Sequence, residues 1–267
     1  MEGQRMNERY IIPDAGSIEE SMQIAREYQA YFEYNDFFLP DLLDDETKVK
    51  ERIDFYKGLD RDRSKDTLHG AFLDVTIHSE DRRIRETSEL RVRQCMDIAT
   101  ELGIRGVVFH TNAVPNFRVP SYIQHWLDSN EQFWKQILGE YPNLEIFIEN
   151  MFDETPDLLA GLAERMKEEL RFGVCLDYAH ALAFGNADEI ADWVTKLLPY
   201  THHMHINDND LHEDLHQTVG EGSIDWSQYD RFMRELRMKG SVLIEVRGAA
   251  KQRASLEFMR QRKLYPF

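Results

Sequence analysis

Cysteine is nearly absent. The 267 residues hold two, Cys95 and Cys175, far apart and making no metal-type pair. They fit a reducing compartment and read as small buried hydrophobes. No uncharged apolar run approaches the roughly 18 residues of a membrane span. The N-terminal MEGQRMNERYIIPD has no apolar signal core, so a cytoplasmic location is expected. Positive charge is also scarce: 32 Lys and Arg stand against 49 Asp and Glu, a net −17. A phosphate backbone or anionic membrane is held mainly by clustered Lys and Arg, so nucleic acid is not an expected partner. A small substrate held through metal remains compatible with this charge, and nothing opposes a homo-oligomer. There is no Pro/Gly/Ser-rich linker and no abrupt change of composition, so residues 1–267 read as one domain. With 42% hydrophobic and 11% aromatic residues, the chain can build a core.

What is present is a regular alternation. Short β-branched or aromatic runs occupy 8–14, 30–38, 66–75, 104–112, 144–150, 172–180, 200–208 and 241–247. Amphipathic helical patterns occupy 17–29, 84–103, 157–173, 188–200, 226–240 and 249–263. Ser17 and Glu20 have capping-box spacing, and Gly103, Gly173, Pro199 and Gly240 read as helix ends. Alternating βα units predict parallel strands with helices outside, and eight of them predict an α/β fold closed as a (β/α)8 TIM barrel. No G-x-G-x-x-G turn follows the first strand, which disfavours a doubly wound sheet. A barrel carries its chemistry at the C-terminal ends of its strands.

Those ends carry metal-ligand residue types. His69 lies on the third strand, His110 ends the fourth, Glu149 the fifth, and Asp177 with His180 the sixth. His205 lies on the seventh, Asp214 and His216 in the loop after it, and Glu245 on the eighth. Each alone is weak. Nine imidazoles and carboxylates in one cavity would cost heavily in desolvation and repulsion without cations. Mixed His and carboxylate ligands suit Zn, Mn, Fe or Co better than Mg or Ca.

On these residues the chain resembles the xylose-isomerase-like TIM-barrel superfamily, which contains sugar phosphate isomerase/epimerases and endonuclease IV. The resemblance spans essentially the whole chain. It implies that Glu149, Asp177, His205 and Glu245 hold one divalent cation, with His180 orienting substrate. The endonuclease IV pattern adds His69 and His110 for a metal bridged by Glu149, and His180, Asp214 and His216 for a third. The string D-x-H-x-x-x-G-E-G, Asp214 to Gly222, is the most specific piece of that fuller set. One to three metals per chain, Zn or Mn, are therefore expected. The resemblance is incomplete where endonuclease IV holds DNA. The first loop reads IIPDAGSIEE, and Phe72 and Leu73 of the third-strand loop are assigned to packing.

Other residues take blander roles. His203 is expected to be a buried hydrogen-bonded histidine, Asp208 and Asp210 loop or capping residues, and the four tryptophans packing. His216 is preferred to His212 for its spacing to Gly220 and Gly222. Arg247, two residues past Glu245, is the candidate for binding an anionic substrate. Two enzyme readings follow, with a metal-loaded binding protein behind them. The first is a sugar or sugar-phosphate isomerase/epimerase, with metal stabilising an enediolate and Glu149 and Glu245 as the acid/base pair. The alternative is a phosphoester hydrolase using two or three metals.

Overall fold

Eight parallel strands pair in sequence order, and the eighth closes on the first. They are β1 (Arg9–Ile11), β2 (Ala30–Tyr34), β3 (Thr67–His69), β4 (Gly106–His110), β5 (Glu145–Glu149), β6 (Phe172–Asp177), β7 (Thr201–Ile206) and β8 (Ser241–Ile244). The helices are α1 (Ile18–Tyr28), α2 (Pro40–Leu43), α3 (Glu46–Lys57), α4 (Arg82–Leu102), α5 (Pro120–Glu140), α6 (Asp157–Met166), α7 (Tyr178–Ala183), α8 (Ile190–Leu197), α9 (Trp226–Glu235) and α10 (Ala249–Arg262). This is the expected (β/α)8 TIM barrel, seen in a computed structural model that describes residues 8–267. No helix among the described residues is long and apolar enough to cross a membrane.

Side-chain alternation along the strands sorts residues into two environments. Ile11, Phe32, Leu68, Val107, Ile146, Val174, Met204 and Ile244 join the helices in one large core. Their neighbours form separate clusters inside the barrel, Tyr10 with Leu243, and Val108 with Phe147 and Cys175. Above this apolar floor the same faces carry His69, His110, Glu149, Asp177 and His205, at or next to the last residue of each strand. Thus the strand register that builds the floor also gathers the ionisable residues. Trp126, Trp134, Trp193 and Trp226 are all buried in the outer core, as expected.

Several boundaries differ from the sequence reading. The strand expected over 172–180 stops at Asp177, whose Oδ1 accepts the His180 N–H at 2.6 Å and starts α7. The helices α3 and α5 have no counterpart in the sequence reading. In α5, Pro120 opens a 21-residue helix that buries Trp126, Phe133, Trp134, Ile137 and Leu138. The capping box does not form: Ser17 makes no side-chain cap, and Asp14 accepts from Gly16 N and Ser17 Oγ instead. Gly103 does end α4, at φ +69°. Gly173 and Gly240 end no helix. Gly173 lies within β6, where a Cβ would overlap the His202 ring. Gly173→Ala is expected to lower the unfolding free energy by about 1–3 kcal/mol through that overlap. Urea unfolding checks it, and an unchanged midpoint would mean that His202 swings clear.

Candidate metal centre

Pairing between strands sets the candidate ligands side by side. His110 is in register with Glu149, and Asp177 with His205. Asn150, directly after β5, braces the next pair. Its Nδ2 donates to Asp177 O at 2.9 Å, and its Oδ1 accepts from Asp177 N at 2.9 Å. Its own carbonyl accepts from His180 Nδ1 at 3.0 Å. The loop after β7 is tied down by Asp208, fully buried, whose carboxylate accepts from Gly220 N, Ile224 N and Trp226 Nε1. That loop delivers Asp214 and His216 to the mouth. His216 sits at φ +45°, a strained backbone for a non-glycine residue.

All nine residues come together, in three groups. His69, His110 and Glu149 form one; Glu149, Asp177, His205 and Glu245 the second; His180, Asp214 and His216 the third. Within each group the ligand atoms lie within 4.8 Å of one another. Glu149 joins the first two: its Oε2 is 3.0 Å from His110 Nε2, and its Oε1 is 3.1 Å from His205 Nδ1. His180 Nε2 and His216 Nε2 approach the same Asp214 oxygen, at 3.3 and 2.9 Å. His212 is exposed, and His203 lies below the mouth, bonded to Ser241 and Glu33.

Two observations show that this donor set fits divalent cations. First, backbone carbonyls fix the tautomers. His69 Nδ1 donates to Gly70 O at 3.0 Å, His180 Nδ1 to Asn150 O at 3.0 Å, and His216 Nδ1 to Glu245 O at 2.8 Å. A carbonyl only accepts, so each ring keeps a proton on Nδ1, and Nε2 is the atom that faces the cluster and would ligate a cation on giving up any proton it carries. Second, Glu149 Oε2, Asp177 Oδ2, His180 Nε2, Asp214 Oδ1 and Glu245 Oε2 are buried without an aligned hydrogen-bond partner. Buried polar atoms without partners are costly. The convergence of His69 Nε2 on His110 Nε2, 3.1 Å apart, is also what a shared cation would satisfy.

Ion pairs to the four carboxylates come only from histidines among the described residues. Burial would raise Glu149, but His205 and His110 outweigh it and hold the carboxyl well below its usual range. Glu245 is pushed down to about 2, because His205 and His216 outweigh its burial. Asp177 goes the other way, to about 8, because burial dominates and Glu245 and Glu149 add to it. His216, half-buried, is raised to about 10 by Glu245 and Asp214, which outweigh its desolvation. The cluster thus sets protons against its own negative charge.

Several contributors are not among the sequence candidates. Phe72, assigned to packing, places its ring 4.8 Å from His110 and 5.2 Å from His69, over the first group. Leu73, also assigned to packing, is 66% exposed instead: its loop turns outward while Asn112 Nδ2 pins Phe72 O and Val75 O. Phe184 packs against His180, the ring centroids 5.6 Å apart and tilted. Glu33, fully buried on β2, reaches both His203 and His205. Its signal is a carboxylate at an inward strand position in AYFEY. Arg247 is exposed at the rim, its guanidinium 5.9 Å from the Phe38 ring centroid, and lines a cavity with Asn35, Asp36 and Arg52.

Comparison with known proteins agrees with this architecture. The description of a xylose isomerase-like TIM barrel matches residues 23–262. An uncharacterised protein of Methanocaldococcus jannaschii, MJ1311, is 26% identical over 209 residues, 74% of this chain and 71% of its own length. A probable endonuclease 4 of Protochlamydia amoebophila is 29% identical over 163 residues, 52% of this chain and 55% of its own. Among solved structures, the TTHB071 protein of Thermus thermophilus, soaked with ZnCl2, superposes with a TM-score of 0.73 at 22% identity, covering 96% of this chain and 97% of that one. A D-tagatose 3-epimerase-like protein gives 0.71 at 22% identity, covering 94% and 96%. At such identities the structures show a shared fold.

Proposed function

The chain belongs to the xylose isomerase-like TIM-barrel family, and on that premise we propose that it is a divalent-metal enzyme acting on a small sugar or sugar phosphate as an isomerase or epimerase. The observation that carries this reading is the central group of Glu149, Asp177, His205 and Glu245 at the barrel mouth. These four would hold one cation, Zn or Mn, and the two flanking groups up to two more. A bound divalent cation supplies positive charge that stabilises negative charge developing on adjacent substrate oxygens. Glu149 and Glu245 are the acid/base pair: the one that is ionised takes the proton from a carbon beside the carbonyl, and the one that enters the cycle protonated returns a proton to the enediolate. His180, fixed by Asn150, orients a substrate hydroxyl. Phe72 shields the His69 side from water, and Arg247 meets an anionic end of the substrate. The net charge of −17 favours a small substrate over a nucleic acid duplex.

A second reading, a multi-metal phosphoester hydrolase, is favoured by one observation: both flanking groups are complete, and a one-metal isomerase does not need them. The two readings part on a double variant, Asp214→Ala with His216→Ala. The isomerase reading expects the purified variant to keep about one tightly held metal per chain and turnover within roughly tenfold of the parent on a ketose or sugar phosphate. Elemental analysis and a substrate screen with Mn²⁺, Zn²⁺ and Co²⁺ measure both. Loss of metal together with loss of phosphoesterase activity would replace this reading by the second.

A further inference from the structure

The candidate histidines differ in what holds them. His69, His180 and His216 are each fixed by a backbone carbonyl on Nδ1, so that Nε2 faces the cluster. His205 is reversed. Its Nδ1 faces Glu149 Oε1 at 3.1 Å and Glu245 Oε2 at 3.5 Å, and its Nε2 lies 3.0 Å from Glu33 Oε1. Glu33 Oε1 and His205 Nε2 are both buried, and neither has an aligned hydrogen-bond partner among the described residues. They lie against each other, and Cys175 packs against the same imidazole.

Glu33 is itself held. Its other oxygen accepts from Thr67 Oγ1 at 2.7 Å and from His203 Nε2 at 3.1 Å. The His203 ring is kept in that orientation by Ser241 Oγ, 2.6 Å from Nδ1. Tyr10 and Phe147 pack on the same ring, at centroid distances of 5.0 and 5.7 Å. Glu33, Thr67, His203 and Ser241 are all buried, on strands β2, β3, β7 and β8. A carboxylate placed so firmly under one imidazole has a chemical consequence. Aligned with the ring, it would accept the Nε2 proton, leave the Nδ1 lone pair for the cluster, and make the ring a stronger donor than a carbonyl would.

We propose that Glu33 is a positioning residue for the central cation, acting through His205 from the opposite wall of the barrel. The proposal rests on the reading of Glu149, Asp177, His205 and Glu245 as a metal site, and the test separates the two. The metal-free full-length chain is titrated with Zn²⁺ against a competing chelator, and one equivalent of Co²⁺ is followed by its visible absorption. Four chains are compared: parent, His205→Ala, Glu33→Gln and Thr67→Val. Parent binding that His205→Ala weakens establishes the site. Glu33→Gln is then expected to weaken it by about 10–100-fold and to shift the cobalt spectrum, with far-UV circular dichroism unchanged. Thr67→Val, which frees Glu33 without removing its charge, is expected to give a smaller loss in the same direction. It stands as the deciding variant if Glu33→Gln does not fold. Folded variants with parental affinity and an unaltered cobalt spectrum would overturn the proposal and leave the metal site standing. A parent chain that binds no cation, or binds it equally without His205, would overturn both.

Discussion

Glu149→Gln is expected to leave a folded barrel with turnover reduced by about 10³-fold or more. No other residue belongs to both the first and second ligand groups. Its two oxygens face His110 on one side and His205 on the other, at 3.0 and 3.1 Å. The amide has nearly the same shape, so the packing under it survives. What disappears is the negative charge that two candidate cations would share and the carboxylate that would carry the proton. Circular dichroism should show native secondary structure, while metal analysis shows less bound metal than in the parent. Turnover above about a tenth of the parent would refute Glu149 as the centre of the site.

The second large effect lies outside the ligand set. Asp208→Ala is expected to lower stability by about 3 kcal/mol or more, because it strands buried donors on Ile224 and Trp226 and a part-buried one on Gly220 at once. It should also loosen the loop that carries Asp214 and His216, so that the third group loses affinity before the central one does. Denaturant unfolding measures the first effect, and limited proteolysis of the loop with stepwise chelator titration measures the second. A variant as stable as the parent, with all its metal retained, would show that the loop is held some other way. The glycine at 222 belongs to the same device: a Cβ there would overlap the Asp208 carboxylate. The G-E-G end of the loop string is therefore a packing requirement of Asp208 as much as a mark of chemistry.

Much of the site can be read from order along the chain. A barrel strand ends at its mouth, so a residue that closes a β-branched run, such as His110 or Glu149, is delivered there by local pattern alone. For the same reason the eight strands stand out, while α3 does not: only Ile53 and Tyr56 of its twelve residues are buried, which leaves almost no apolar stripe to detect. Phe72 reads as packing because nothing local tells whether a loop aromatic turns in or out. Asn112, forty residues away, decides it.

The alternation of strands and helices, the residue types at the strand ends and the acidic surface around them are written in the linear chain, because each follows from neighbours along it. The closed barrel alone settles which of those residues share an atom-scale site, how each imidazole is turned, and that Glu33 sits beneath His205. These depend on β8 meeting β1 and on β2 facing β7 across the interior, contacts between residues 170 positions apart or more that no local pattern encodes.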